Sequence, residues 1–225
     1  LMDSLFDKSK IATNKDIVDL FAKHNPKILF EPNTKWEYSN TGYAFLASII
    51  EKVSGLSYGD YLQKAIFKPL EMNNTFVYTR RFAPKKISNY AFGYIYSDSL
   101  KKYILPDELE ETKMVIWLDG IVGDGTVNST VNDLLKWDRA LYTEKLVSSE
   151  SKKEIFSAVE LNNKSKRDYG FGWALSDDET YGKIVNHSGG WPGYKTFIER
   201  HIDNDKTIIV LQNHESVSTT KLFAY

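Results

Sequence analysis

Two stretches of this 225-residue chain hold side chains suited to acyl and proton transfer. In Trp36-Glu37-Tyr38-Ser39-Asn40-Thr41-Gly42-Tyr43, a phenol and an amide flank Ser39 just before an apolar run. In Val185-Asn186-His187-Ser188-Gly189-Gly190-Trp191-Pro192-Gly193, an imidazole precedes consecutive glycines. A phenol or imidazole can carry a proton, and an amide can hold a substrate polar group. Glycine lets a substrate approach backbone closely, and a strand-end N–H can serve an oxyanion. Each stretch also has a plainer reading. Tyr38 could be a half-buried aromatic, with Asn40 an ordinary helix cap. The glycines could serve only turn geometry, with His187 a partly exposed strand residue.

The elements that would position these groups follow from periodicity. Tyr43, Phe45, Leu46, Ala47, Ile49, Ile50 and Val53 form an apolar helix that Ser54-Gly55 closes, with Asn40 or Thr41 as N-cap. Its apolar residues occupy more than one row, so burial on most sides is expected. Asn14 to His24, behind a Thr13/Asn14 cap, is a shorter helix stopped by Pro26. Ser57 opens another, running through Ile66 and ending before Pro69. Residues 70–125 lack a long period and are expected to be loops with short strands, as often wall a binding site. Thr130-Val131-Asn132-Asp133 caps a helix with Val131, Leu134, Leu135, Trp137 and Leu141 on its apolar side, and a shorter helix spans 149–158. From Tyr169 the pattern changes to strands over 171–175, 183–187, 194–202 and 207–212, separated by turns at 177–178, 189–193 and 203–205. The expected fold class is α+β, an antiparallel sheet packed by helices. It forms a single domain, with a helical, loop-rich region over 1–165 and a sheet region over 166–225.

Composition narrows the function classes. The chain is 42% hydrophobic and 14% aromatic, enough for a real core. A net charge of −1 gives no basic face for nucleic acid. The absence of cysteine excludes a thiol nucleophile and cysteine-ligated zinc. His24, His187, His201 and His214 lack ligand spacing, so no metal and no cofactor are implied. No apolar run approaches the roughly 20 residues of a membrane helix.

Taken together, the two stretches resemble the serine β-lactamase and penicillin-binding-protein superfamily, in its class C and esterase-like branch. Tyr38-x-Asn40 resembles its second motif, and residues 42–55 the helix that follows. Phe67-Lys68-Pro69-Leu70-Glu71-Met72, the 123–137 stretch and His187-Ser188-Gly189 resemble successive family segments in the right order. The resemblance implies that Tyr38 shuttles a proton, Asn40 holds the substrate, Gly190 N–H serves the oxyanion, and Ser188 and Gly189 contact substrate. His187 stands where many members have lysine. A free imidazole is mostly neutral at pH 7, which favours an esterase or peptidase over β-lactam hydrolysis.

The family's first motif, Ser-x-x-Lys, supplies nucleophile and base. Upstream of Tyr38 stand only Ser4 and Ser9, neither with lysine three residues on. Ser99/Lys102, Ser149/Lys152 and Ser218/Lys221 all lie downstream and are read as chance matches. The chain therefore resembles the C-terminal portion of a serine hydrolase that forms an acyl-enzyme. Its expected partners are a small-molecule or peptide-like acyl substrate and the N-terminal segment of the same protein. The rival is a non-catalytic binding or regulatory module on the same scaffold. The resemblance implies a periplasmic or extracellular setting, while the sequence itself assigns no compartment.

Overall fold

The computed structural model describes residues 2–214, so Ser218 and Lys221 lie outside the described residues. A capping pair opens the first long helix, Asn14–His24. Thr13 donates to Asp16 Oδ2 through both N–H (2.8 Å) and Oγ1 (2.6 Å). Asn14 is buried inside the first turn. Its Nδ2 donates to the carbonyls of Ala44 (2.8 Å) and Val122 (2.9 Å), and its Oδ1 accepts from Val122 N–H (2.8 Å). One amide thus ties this helix to the central helix Asn40–Ser54 and to the 121–123 loop.

The central helix departs from the sequence expectation in two ways. Its N-cap is neither Asn40 nor Thr41 but Ser39, extended at φ −144° and ψ 105°, whose Oγ accepts from Gly42 N–H (3.0 Å). A hydroxyl one residue earlier reaches the third N–H without distortion, so Asn40 begins the helix with its amide released from capping. Nor is the helix buried on most sides. Ala44 and Ala47 are buried, while Leu46, Ile49 and Val53 are 51%, 55% and 82% exposed. Small residues face the 121–123 loop, where Gly123 comes close to Ala47 and the Tyr43 carbonyl. The larger apolar side lacks cover among the described residues.

Ser57 caps the next helix as expected, but α-geometry stops at Leu62. A π-turn, Gln63–Phe67, follows, with Lys68 N–H bonded to Gln63 C=O (2.9 Å). The 70–125 stretch holds short paired strands, Phe76–Val77 against Val127–Asn128 and Ile95–Ser97 against Lys102–Ile104, plus 3₁₀ turns and a one-turn helix, Met114–Trp117. Ser99 falls in the Ile95–Ile104 hairpin turn and Ser149 at the exposed start of helix Ser149–Ile155.

Helix Val131–Ala140 is capped by Thr130, and Trp137 and Leu141 of the apolar side read from sequence pack against the core, but the row is only partly inward. Val131 and Leu135 are exposed, whereas Asp133 and Asp138 are buried. Asp133 accepts from Asn74 N–H (2.7 Å), Thr75 Oγ1 (3.0 Å) and Lys136 (3.1 Å). These partners make a buried carboxylate affordable where an aliphatic side chain would leave Asn74 and Thr75 unsatisfied.

The C-terminal part is a four-stranded antiparallel sheet in spatial order Lys206–Gln212, Tyr194–His201, Gly182–Trp191, Ala174–Asp178. The supposed 189–193 turn is strand as far as Trp191, and only Pro192 and Gly193 lie between the paired Trp191 and Tyr194. Proline followed by glycine at φ +87° is the type II turn pattern, which two residues suffice to make. Phe156, Trp173 and Val185 pack with Trp137, Leu141 and Ile198 between sheet and helices.

Burial pushes the Asp133 carboxyl up, but the hydrogen bonds from Asn74 N–H, Lys136 and Thr75 outweigh it and hold the carboxyl below its ordinary range. A depressed carboxyl stabilises the fold fully above its unfolded value of about 3.9, and that share is lost as pH falls through the folded value. Asp133→Asn is expected to cost about 2–3 kcal/mol at pH 7 in urea unfolding. The gap to wild type should narrow towards pH 3. A constant gap across pH contradicts an ionised Asp133.

Candidate active site

Tyr38 and His187, 149 residues apart in sequence, are brought into ring contact. Their rings stack with centroids 6.2 Å apart and 29° between planes. Tyr38 reaches this contact from the extended segment before the central helix, and His187 from mid-strand. Tyr38 is half-exposed and its neighbour Asn40 is exposed at the helix entry. No hydrogen bond of the Asn40 amide occurs among the described residues.

A third ring completes the wall. Tyr169 lies edge-on to Tyr38 (6.3 Å) and to His187 (6.2 Å), with Trp36 behind it at 5.2 Å. Tyr169 Oη lies 3.0 Å from His187 Nε2. Burial, and then the neighbouring Tyr43 and Tyr38 hydroxyls, push the Tyr169 phenol up to about 12. It therefore keeps its proton at neutral pH and can donate to Nε2, leaving Nδ1–H for another acceptor. Tyr43 is likewise raised, by burial and by Tyr38. Sequence reading missed Tyr169. The available signal was its position before Gly170-Phe171-Gly172-Trp173, a bend in which Gly172 sits at φ +87° and a side chain on Gly170 would collide with the Ile155 carbonyl.

That bend also sets the strand edge. Pairing between Ala174–Asp178 and Gly182–Trp191 ends at Ala174 with Asn186, whereas the pairing with Tyr194–His201 continues to Trp191. From His187 to Trp191 the strand thus has one partner and one edge without a strand among the described residues. Ser188, Gly189 and Gly190 all lie on this stretch. At Gly189 a Cβ would collide with Thr196 Oγ1 on the neighbouring strand, so a side chain there requires that hydroxyl to turn away. Gly190 is open, with Lys195 Nζ 3.5 Å from where a Cβ would stand.

The Beta-lactamase family model matches residues 2–222. The chain belongs to the Beta-lactamase family. It is 53% identical over 210 residues to penicillin-binding protein 4* of Bacillus subtilis, covering 93% of this chain and 47% of that protein. The chain thus spans less than half the length of this relative. In structure it is similar to the octameric penicillin-binding protein homologue from Pyrococcus abyssi, with a TM-score of 0.75 at 26% identity, over 92% of this chain and 45% of that one. It also shares the fold of the D-amino acid amidase from Ochrobactrum anthropi, with a TM-score of 0.68 at 24% identity, over 91% and 58% of the two chains. The α+β class with its antiparallel sheet is the fold of these neighbours.

Two expectations follow from the geometry. Tyr169→Phe keeps the ring but removes the hydroxyl, costing about 0.5–1.5 kcal/mol. Nitrogen-15 spectra should then show His187 moving from one Nδ1–H tautomer to a mixture, and an unchanged spectrum would remove Tyr169 from control of the imidazole. Gly189→Ala should destabilise by about 1–3 kcal/mol through overpacking. Gly190→Ala should fall within about 0.5 kcal/mol of wild type. Adding Thr196→Ala should rescue Gly189→Ala, as thermal melts will show.

Proposed function

We propose that this chain is the C-terminal part of a serine hydrolase that transfers an acyl group through a covalent acyl-enzyme. The observation that carries the reading is the stacking of Tyr38 on His187 beside a strand edge open from 187 to 191. Acyl transfer needs a proton carrier and an oxyanion donor within reach of one tetrahedral carbon. Tyr38 is the carrier. A phenol titrates near 10 when free, so it requires an adjacent cation to act as a base at neutral pH.

The edge supplies the donor. A two-residue turn makes Trp191 and Tyr194 the bonded closing pair, and alternate residues of an antiparallel strand send their N–H groups to opposite sides. By that alternation the N–H groups of Gly190 and Ser188 face away from strand Tyr194–His201, towards the open edge. Gly190 N–H then stabilises the oxyanion, and the backbone of Ser188 and Gly189 lines the path of an extended substrate. Asn40, free of capping duty, holds the substrate amide. His187, oriented by Tyr169, offers a hydrogen bond where lysine would offer a full charge.

The nucleophile lies outside these residues, because no Ser-x-x-Lys precedes Tyr38. The segment bearing it seats against the exposed Leu46/Ile49/Val53 side of the central helix and brings the cation that Tyr38 needs. The substrate class is an amide or ester of a peptide-like acyl group. Relatives whose names specify D-amino acid substrates, a D-aminopeptidase and a D-amino acid amidase, support an acyl group of D configuration.

A fluorescent penicillin and p-nitrophenyl acetate test the reading. The full-length protein is expected to be labelled on a serine outside this chain, and the 225-residue chain alone to remain unlabelled. In the full-length protein Tyr38→Phe should slow acylation by about 10²–10⁴. Stoichiometric labelling of a serine within the chain overturns the placement of the nucleophile. A full-length protein inert to both reagents points to the binding-module alternative.

A further inference from the structure

A cleft of about 590 Å³ opens in the 78–92 segment, and neither Tyr38 nor His187 is among the residues lining it. Its volume falls within the range of small-molecule sites. Tyr78, Tyr90 and Phe92 line it, and so do Arg80, Lys85 and Lys86. The rings form an edge-on ladder that starts at Phe76. Centroids are 6.1 Å apart from Phe76 to Tyr78, 5.5 Å from Tyr78 to Tyr90 and 5.1 Å from Tyr90 to Phe92. The cations lie over ring faces, Lys85 Nζ 4.9 Å from the Phe76 centroid and the Arg80 guanidinium 5.5 Å from that of Phe92. Such contacts hold a charged head in place while consuming little of its hydrogen-bonding capacity.

The charge of this corner is unbalanced. Asp107 takes both Nε and Nη2 of Arg81 and also one Nη of Arg80, while Asp119 takes Nη1 and the backbone N–H of Arg81. Both carboxylates are thus directed mainly at Arg81. Among the described residues the ion pairs of Arg80 and Arg81 are with these two acids, while Lys85 and Lys86 form none within 4 Å, in a chain whose overall charge is −1. An excess of cations in an aromatic-walled cleft favours a ligand with a negative group on a ring-shaped or apolar body.

The cleft is fastened to the hairpin that ends the site strand. Tyr194, first residue of strand Tyr194–His201, donates from Oη to Ala91 C=O (2.8 Å) and lies 3.3 Å from Tyr90 Oη. Gly93 and Gly193 meet backbone to backbone, and a side chain on either would collide with the other segment. The wall formed by Tyr90 and Phe92 is thereby rigid, with little ordering left for a ligand to impose.

We propose that this cleft is a binding site for an anionic group, phosphate or carboxylate, borne on an aromatic or sugar ring. The ring packs into the angle between Tyr90 and Phe92, face-on to one and edge-on to the other, and the anion meets Lys85, Lys86 and Arg80. The probes are phenyl phosphate, inorganic phosphate and benzyl alcohol, titrated into the full-length protein and followed by the ring signals of Tyr90 and Phe92. Phenyl phosphate is expected to bind saturably and at least about tenfold more tightly than either of its halves, since each half forfeits one set of contacts. Lys85→Glu with Lys86→Glu should weaken it by about tenfold or more, and Phe92→Leu should weaken it while sparing inorganic phosphate. Benzoate and a sugar phosphate as further probes separate carboxylate from phosphate preference. Equal affinity for phosphate and phenyl phosphate, or charge-reversal variants that bind as wild type does, would overturn the proposal. Both lysines are exposed, so the variants test binding without threatening the fold. No catalytic turnover enters the readout, and a failed acylation assay leaves this result standing.

Discussion

The buried ion pair between Asp138 and Arg200 joins the helical part of the molecule to its sheet. The side chains are 0% and 1% exposed, and Arg200 Nε donates to Asp138 Oδ1. Thr207 Oγ1 donates to the same oxygen at 2.9 Å, and Arg139 takes the other. Arg200 also lies over the rings of Tyr142 and Phe156, which shield it from water. Such a pair adds little net stability over an apolar contact, but losing one member strands a buried charge at a cost of about 3–5 kcal/mol. Its value here is registration. Arg200 pairs with Val185, two residues before His187 on the same face of the neighbouring strand. Helix Val131–Ala140 therefore sets the position of the strand that carries the imidazole.

Asn14 performs the matching task on the other side. Its single amide satisfies three backbone groups from two other segments, and no apolar residue of that size could do so. It fixes the central helix, hence the extended segment that delivers Tyr38. Tyr38 and His187 thus meet on two supports that are each held by a buried polar clamp. Side chains on the wall need only point inward, which rigid supports make reliable.

Much of this was legible in sequence where the signal is local. Thr13, Ser57 and Thr130 begin helices where capping chemistry places them, and three of the four strands were readable from alternation and turn residues. The strand expected at 171–175 is instead Ala174–Asp178, with the supposed turn residues Asp177 and Asp178 paired to Lys183 and Gly182. What escaped depends on contacts distant in sequence. The burial of Asp133 and Asp138 has no local signal, because their partners, Asn74, Thr75 and Arg200, lie about 60 residues away. Consecutive glycines suggested a turn at 189–193, but strand pairing across to Thr196 and Lys195 overrides that preference. Burial of the central helix was misjudged because an apolar periodicity shows that a face seeks cover without showing what covers it. The contact between Tyr38 and His187, 149 residues apart, had no local signal in either stretch.

The unpaired edge at 187–191 has a cost as well as a use. Five residues at about 3.3 Å each present roughly 16 Å of backbone edge with no strand beside it among the described residues, a template on which an extended chain could add a strand. Most sheets blunt such an edge with charge or proline. Here Trp36, Tyr38 and Tyr169 crowd its His187 end with rings, and the Pro192-Gly193 turn ends it abruptly. The opening is too short for a long stranger to zip along and long enough for a few residues. The same geometry that leaves the edge open therefore acts as a guard against fibrous self-association.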